Sequence, residues 1–112
     1  MDANEFKTAA GSCIISEDVI SAIAATAATE TAGVAALVGR GASRAVRILN
    51  TEYDTVLDVY VKLYAGTRIQ EAAVALQQNV KMAVQSMTGK PVTKVNVHVE
   101  GVVPVPVEKT EE

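Results

Sequence analysis

His98 and Cys13 are the only histidine and the only cysteine in this sequence, so any imidazole or thiol chemistry must pass through them. His98 lies in a run where Lys94, Asn96, His98 and Glu100 alternate with Val95, Val97 and Val99. That period of two is a strand with one polar face. A catalytic dyad would need a nucleophile or carboxylate placed beside His98 by the fold; its neighbours Asn96 and Glu100 support one weakly, and an exposed strand histidine is the simpler reading. Cys13 ends an apolar stretch just before a helix start. A helix N-terminus lowers a thiol pKa, but Glu17 and Asp18 oppose that, and a small core residue is favoured. The segment Gly39-Arg40-Gly41-Ala42-Ser43-Arg44, with Arg47 beyond, has the composition of an anion-binding loop. It lacks the Gly-Lys-Ser/Thr ending of a P-loop and the third glycine of a dinucleotide fingerprint, and it leads into a strand, so it reads as a connector. Arg44 or Arg47 has a structural alternative, an ion pair with Glu30, whose carboxylate projects near an apolar helix stripe and needs a partner. No paired carboxylates, metal cluster or nucleophile–base pair emerges. The residues themselves predict no catalytic, cofactor or metal site.

Tyr60 and Tyr64 share one face of a strand, as stacking aromatics do in RNA-recognition sheets. Against nucleic acid stand the formal net charge of −3 and the outward positions of Asp58 and Glu100. The acidic balance equally disfavours an anionic membrane surface.

The elements that position these residues follow from periodicity. Ile69, Ala72, Ala73, Leu76, Val80, Ala83, Val84 and Met87 recur every three or four residues through Arg68–Thr88. They form the apolar stripe of a long helix closed by Gly89 and Pro91. Val74 and Met82 fall off that stripe and are candidates for a partner contact. Ser16-Glu17-Asp18 opens an earlier helix, capped by the Ser16 hydroxyl and suited to the dipole by its two acids. Val19, Ile20, Ile23, Ala24 and Ala27 line its inner face, and Gly33 is its expected stop. Its outer face (Ala22, Ala25, Thr26, Ala28, Thr29) is uncharged, which makes Ala25 a second candidate contact. Thr55–Tyr64 is a clear strand, with Leu57, Val59, Val61 and Leu63 inward and Asp58, Tyr60, Lys62 and Tyr64 outward. Ala45–Asn50 and Val92–Val103 are further strands, and Gly11–Ile15 a short first one. The predicted order is β-α-β-β-α-β: an α+β, two-layer sandwich with both helices on one face of a mainly antiparallel sheet, ferredoxin-like if the first strand is central. The domain spans 11–103. Residues 1–10 and the Pro/Val-to-acidic 104–112 are expected to be flexible tails.

With 112 residues, one modest core is expected. An aromatic fraction of 4% without Trp means a core of Val, Ile, Leu and Ala, packed closely. One cysteine excludes an intramolecular disulfide and fits a reducing compartment. No apolar run reaches the length of a membrane span, and the N-terminus lacks a secretory pattern.

The run Ile15-Ser16-Glu17-Asp18-Val19-Ile20, with Ile23-Ala24, Ala27, Glu30 and Gly33-Val34, resembles the N-terminal signature of the alkaline shock protein family. These are the Gls-type general stress and envelope stress-response proteins of Gram-positive bacteria. A second block is similar: Tyr64-Ala65-Gly66, Ile69-Gln70-Glu71-Ala72, Leu76-Gln77, Val80-Lys81, Met87-Thr88-Gly89 and Val95 through Val102. The resemblance covers Gly11 to Val103. It implies a small cytoplasmic protein without catalytic activity or cofactor, linked to the cell envelope and to stress. It also implies self-association into homo-oligomers and attachment to the membrane through a separate, membrane-anchored partner rather than by direct insertion.

Overall fold

The computed structural model describes residues 5–38, 45–50, 55–89 and 91–105. The elements are β1 (Glu5–Thr8), β2 (Gly11–Ile14), α1 (Glu17–Thr29), β3 (Val34–Leu37), β4 (Val46–Asn50), β5 (Thr55–Tyr64), α2 (Ile69–Thr88) and β6 (Lys94–Val103). The chain forms the α+β sandwich that its periodicity predicts, with both helices on one face of the sheet.

β5 is the axis of that sheet. Thr55, Leu57, Val59, Val61 and Leu63 are all buried, at 2% exposure or less, and meet Ile20 and Ala24 of α1 and Leu76, Val80 and Val84 of α2 in one core. β6 runs along one edge of β5, parallel to it, from Val56↔Lys94 to Tyr64↔Val103, with a bulge after Val61↔Val99. The other edge is shared: antiparallel β4 pairs with Thr55 to Val59, and antiparallel β3 pairs with Val61 to Leu63. Two of the three pairings are therefore antiparallel. The third is parallel because α2 carries the chain back across the sheet between β5 and β6.

α2 is the principal organiser of the core. Ala72, Leu76, Val80, Val84 and Thr88 repeat every fourth residue and are buried. Gly89 closes the helix in the left-handed conformation, φ 73°, with its N–H donated to the Gln85 carbonyl. Ile69 and Met87, expected inward, are 49% and 70% exposed. They lie in the first and last turns of the helix.

α1 opens as predicted, with the Ser16 hydroxyl accepting from the Val19 N–H at 3.3 Å. It ends at Thr29, short of Gly33. There the Thr31 hydroxyl donates to the Ala27 carbonyl and accepts from Asn79 Nδ2 of α2, both at 3.0 Å, so the last turn is tied to the neighbouring helix. The inner face is broader than periodicity suggests, because α1 packs on α2, β3 and β4 together. Ala25 and Ala28, expected outside, are 7% and 0% exposed; Val19, expected inside, is 47% exposed.

The N-terminal region differs most from expectation. Glu5–Thr8 is a strand rather than a tail, and it pairs with Gly11–Ile14 in a hairpin separate from the main sheet. The strand expected first in the sheet is thus absent from it. β3, just ahead of the segment read as a connector, adds a strand that the predicted order did not include.

Candidate functional site

The side chains with chemical potential converge on the sheet face opposite the helices. Because side chains alternate along a strand, burying the odd-numbered residues of β5 turns Val56, Asp58, Tyr60, Lys62 and Tyr64 to the other side. Register then assigns their neighbours. Leu49, Val56 and Lys94 form one row; Arg47, Asp58 and Asn96 the next; Tyr60 and His98 a third; Ala36, Lys62 and Gly101 a fourth. No described helix packs on this face. Leu49 is 64% exposed there, and Tyr60 and Tyr64 are half-buried.

A polar cluster occupies the centre. Asn96 Nδ2 donates to Asp58 Oδ1 at 2.9 Å, and His98 Nε2 lies 3.4 Å from the same oxygen. The His98 ring stacks on Tyr60, centroids 4.4 Å apart and planes within 12°. The Asn96 hydrogen bond holds the Asp58 carboxyl below its ordinary pKa. Burial opposes this, while the His98 hydrogen bond and charge, and then the Arg47 charge, reinforce it. The carboxylate that His98 would need is therefore present, supplied from 40 residues earlier in the chain. No local signal around His98 announces it; only the parallel register of β5 and β6 brings it there.

The cluster is an acid–imidazole–phenol arrangement, and the one thiol of the sequence is not part of it. Cys13 is exposed on β2, in the separate hairpin. Among the described residues, no group of three or more His, Cys, Asp or Glu side chains is placed to hold a metal ion. What the arrangement does is order the face: it fixes the Tyr60 ring against its neighbour strand and leaves apolar and charged side chains around it.

The remaining candidates are scattered. Val74 and Met82 are 51% and 65% exposed on the outer side of α2. Ala25 belongs to the core and presents no surface, because α1 buries that side against its neighbours. Glu30 is exposed at the C-cap of α1, whereas Arg47 lines a groove with Glu17 and Asp18 at the other end. A helix of 13 residues separates them by about 20 Å. Among the described residues Glu30 forms no ion pair, and Arg47 faces Asp58 instead. Arg44 and the Gly39–Ser43 loop lie outside the described residues. A groove of about 330 Å³ between the helices is lined by Ala22, Ile23, Thr26, Ala83 and Met87, with Glu30 at its rim. No described helix is long and apolar enough to cross a membrane.

Comparison with solved structures places this architecture in a known class. MamM CTD structures share it with TM-score 0.53 at 15% identity, one of them over 77% of this chain and 98% of its own. The fold is thus the two-layer α+β type of those domains. Sequence comparison defines the family: the signature of the alkaline shock protein 23 family, of cell envelope-related function, matches residues 5–104. The chain belongs to that family. Relatives include Spy1535 of Streptococcus pyogenes serotype M6, 33% identical over 83% of this chain and 80% of its own length. YloU of Bacillus subtilis is 29% identical over 88% and 93%.

Proposed function

We propose that this chain is a non-catalytic protein of cell-envelope homeostasis and the envelope stress response. It works at the cytoplasmic side of the membrane through self-association and a protein partner, itself anchored in the membrane. The observation that carries this reading is the sheet face that no described element covers. It presents Leu49, Val56, Tyr60 and Tyr64 around a polar centre, and apolar side chains with a few fixed polar groups are the composition of a protein-docking surface. Family membership supports it. Val74 and Met82 are a secondary contact on the helix side.

The test is crosslinking in the native bacterium with identification of bound proteins, together with sedimentation of the purified chain. Leu49→Asp leaves the core untouched and is expected to abolish partner recovery while the melting temperature holds. Strictly monomeric behaviour with no partner recovered would contradict the proposal.

One observation favours a second reading. Arg47, Lys62 and Lys94 share the open face with both tyrosines, a local basic surface in an acidic chain. Single-stranded RNA would suit it, except that His98 already occupies one face of the Tyr60 ring. Salt-sensitive binding of labelled single-stranded RNA, lost in Tyr60→Ala, would establish that reading; no binding at low salt removes it.

A further inference from the structure

Among the described elements, the hairpin β1–β2 stands apart from the sandwich. Its two strands pair with each other from Glu5↔Ile14 to Thr8↔Gly11, and neither makes a substantial contact with any other described element. Every residue of β2 is exposed, Ile14 at 67%. An isolated two-stranded hairpin is marginal in water and gains stability from a third strand or an apolar surface.

Among the described strands, one sheet edge is left open. β6 is ten residues long and, among the described strands, pairs only with β5. At the start of its outer edge, Gln77 Nε2 donates to the Val95 carbonyl at 3.0 Å. Beyond that point no described strand or side chain pairs with the edge, and Val102 is 57% exposed near its end. A long unpaired edge is a template for strand addition.

The chain's own hairpin is held away from that edge. Only Ile15 and Ser16 separate β2 from α1. The start of α1 lies beside β4, where Glu17, Asp18 and Ser21 line a groove with Val46, Arg47 and Ile48. β4 and β6 flank β5 on opposite sides. At about 4.8 Å per strand, the seat beyond β6 is about 14 Å from β4, while the three residue steps from Ile14 to Glu17 span about 11 Å at most. A second copy carries no such tether.

We propose that the hairpin Glu5–Ile14 is an assembly arm that adds as further strands to the outer edge of β6 in another copy of this chain. The inference rests on the self-association reading above and names its contact. Reciprocal exchange closes a two-fold dimer, and one-way exchange propagates a chain of copies. In both cases the open face with Leu49 and Tyr60 stays free for the partner protein.

The native cysteine supplies the test, since Cys13 lies in the arm. The full-length chain is mixed with a Cys13→Ser copy carrying one new cysteine on the edge, at Asn96, Glu100 or Val102. A Cys13→Ser copy with Arg47→Cys on β4 is the comparison. Mild oxidation is expected to give disulfide-linked heterodimers with at least one β6 position and not with Arg47→Cys. Ile14→Asp, at an exposed position, is expected to remove that crosslink and to shift sedimentation toward monomer with an unchanged melt. An oligomeric wild type with no β6 crosslink would overturn the arm while leaving self-association standing. A wild type that is monomeric at every concentration would overturn both.

Discussion

Replacing Asn96 by alanine tests whether the polar centre of the open face is a coupled unit. Asn96 is exposed, so the substitution leaves the core intact. It removes the 2.9 Å hydrogen bond to Asp58 Oδ1, the leading cause of the depressed Asp58 pKa. A carboxyl with a depressed folded pKa contributes stability that is present above its unfolded value, about 3.9. That contribution is lost as the pH falls through the lower folded value. A net hydrogen bond is worth about 0.5–1.5 kcal/mol, and solvent screening at this surface brings it to the lower half of that range. For a domain of this size, about 0.5–1 kcal/mol corresponds to about 2–4 °C in melting temperature. The melt of Asn96→Ala at neutral pH is expected to fall by that amount, and the difference from wild type should vanish in strong acid. Carbon-13 detected titration of the Asp58 carboxyl gives the direct reading. Its pKa is expected to be low in the wild type and to rise in both Asn96→Ala and His98→Ala. An Asp58 pKa indifferent to Asn96 would refute the reasoning.

Other expectations are simpler. Leu76→Ala empties a site of 0% exposure at the centre of α2 and should cost about 2–5 kcal/mol in denaturant unfolding; Met82→Ala, at 65% exposure, should cost within about 0.5 kcal/mol. Gly33→Ala places a Cβ 2.7 Å from Thr67 Cγ2 on a backbone with φ 93°. It should destabilise by about 1 kcal/mol or more in the same assay. Ser16→Ala removes the cap of α1 and should cost about 1 kcal/mol.

Sequence is most legible where hydrophobic contrast is strong. From Leu57 to Tyr64 of β5, Leu and Val alternate with Asp58, Tyr60, Lys62 and Tyr64, so the buried and open faces, and with them Tyr60 and Tyr64, can be read from the residues alone. In α2 the four-residue repeat of Leu76, Val80 and Val84 is equally plain. α1 offers little contrast. Its alanines are small enough to pack on any side, so periodicity places the inner face without Ala25 and Ala28. Whether a strand joins a sheet is not a local property. Gly11–Ile14 has strand composition, but its pairing with Glu5–Thr8 instead of β5 depends on partners that periodicity does not encode. β3 is too short, at four residues, to show a period. The Asp58–His98–Tyr60 cluster is hidden for the same reason, because it exists only through the parallel register of two strands separated by a 20-residue helix.

The most direct measurement is photo-crosslinking in the native bacterium from a single reactive residue placed at Leu49, compared with one at Gln78 on the exposed side of α2. The open-face account predicts that Leu49 captures one membrane-anchored protein reproducibly, that Tyr60→Ala weakens the capture, and that Gln78 does not yield it. Capture from Gln78 with none from Leu49 would contradict it.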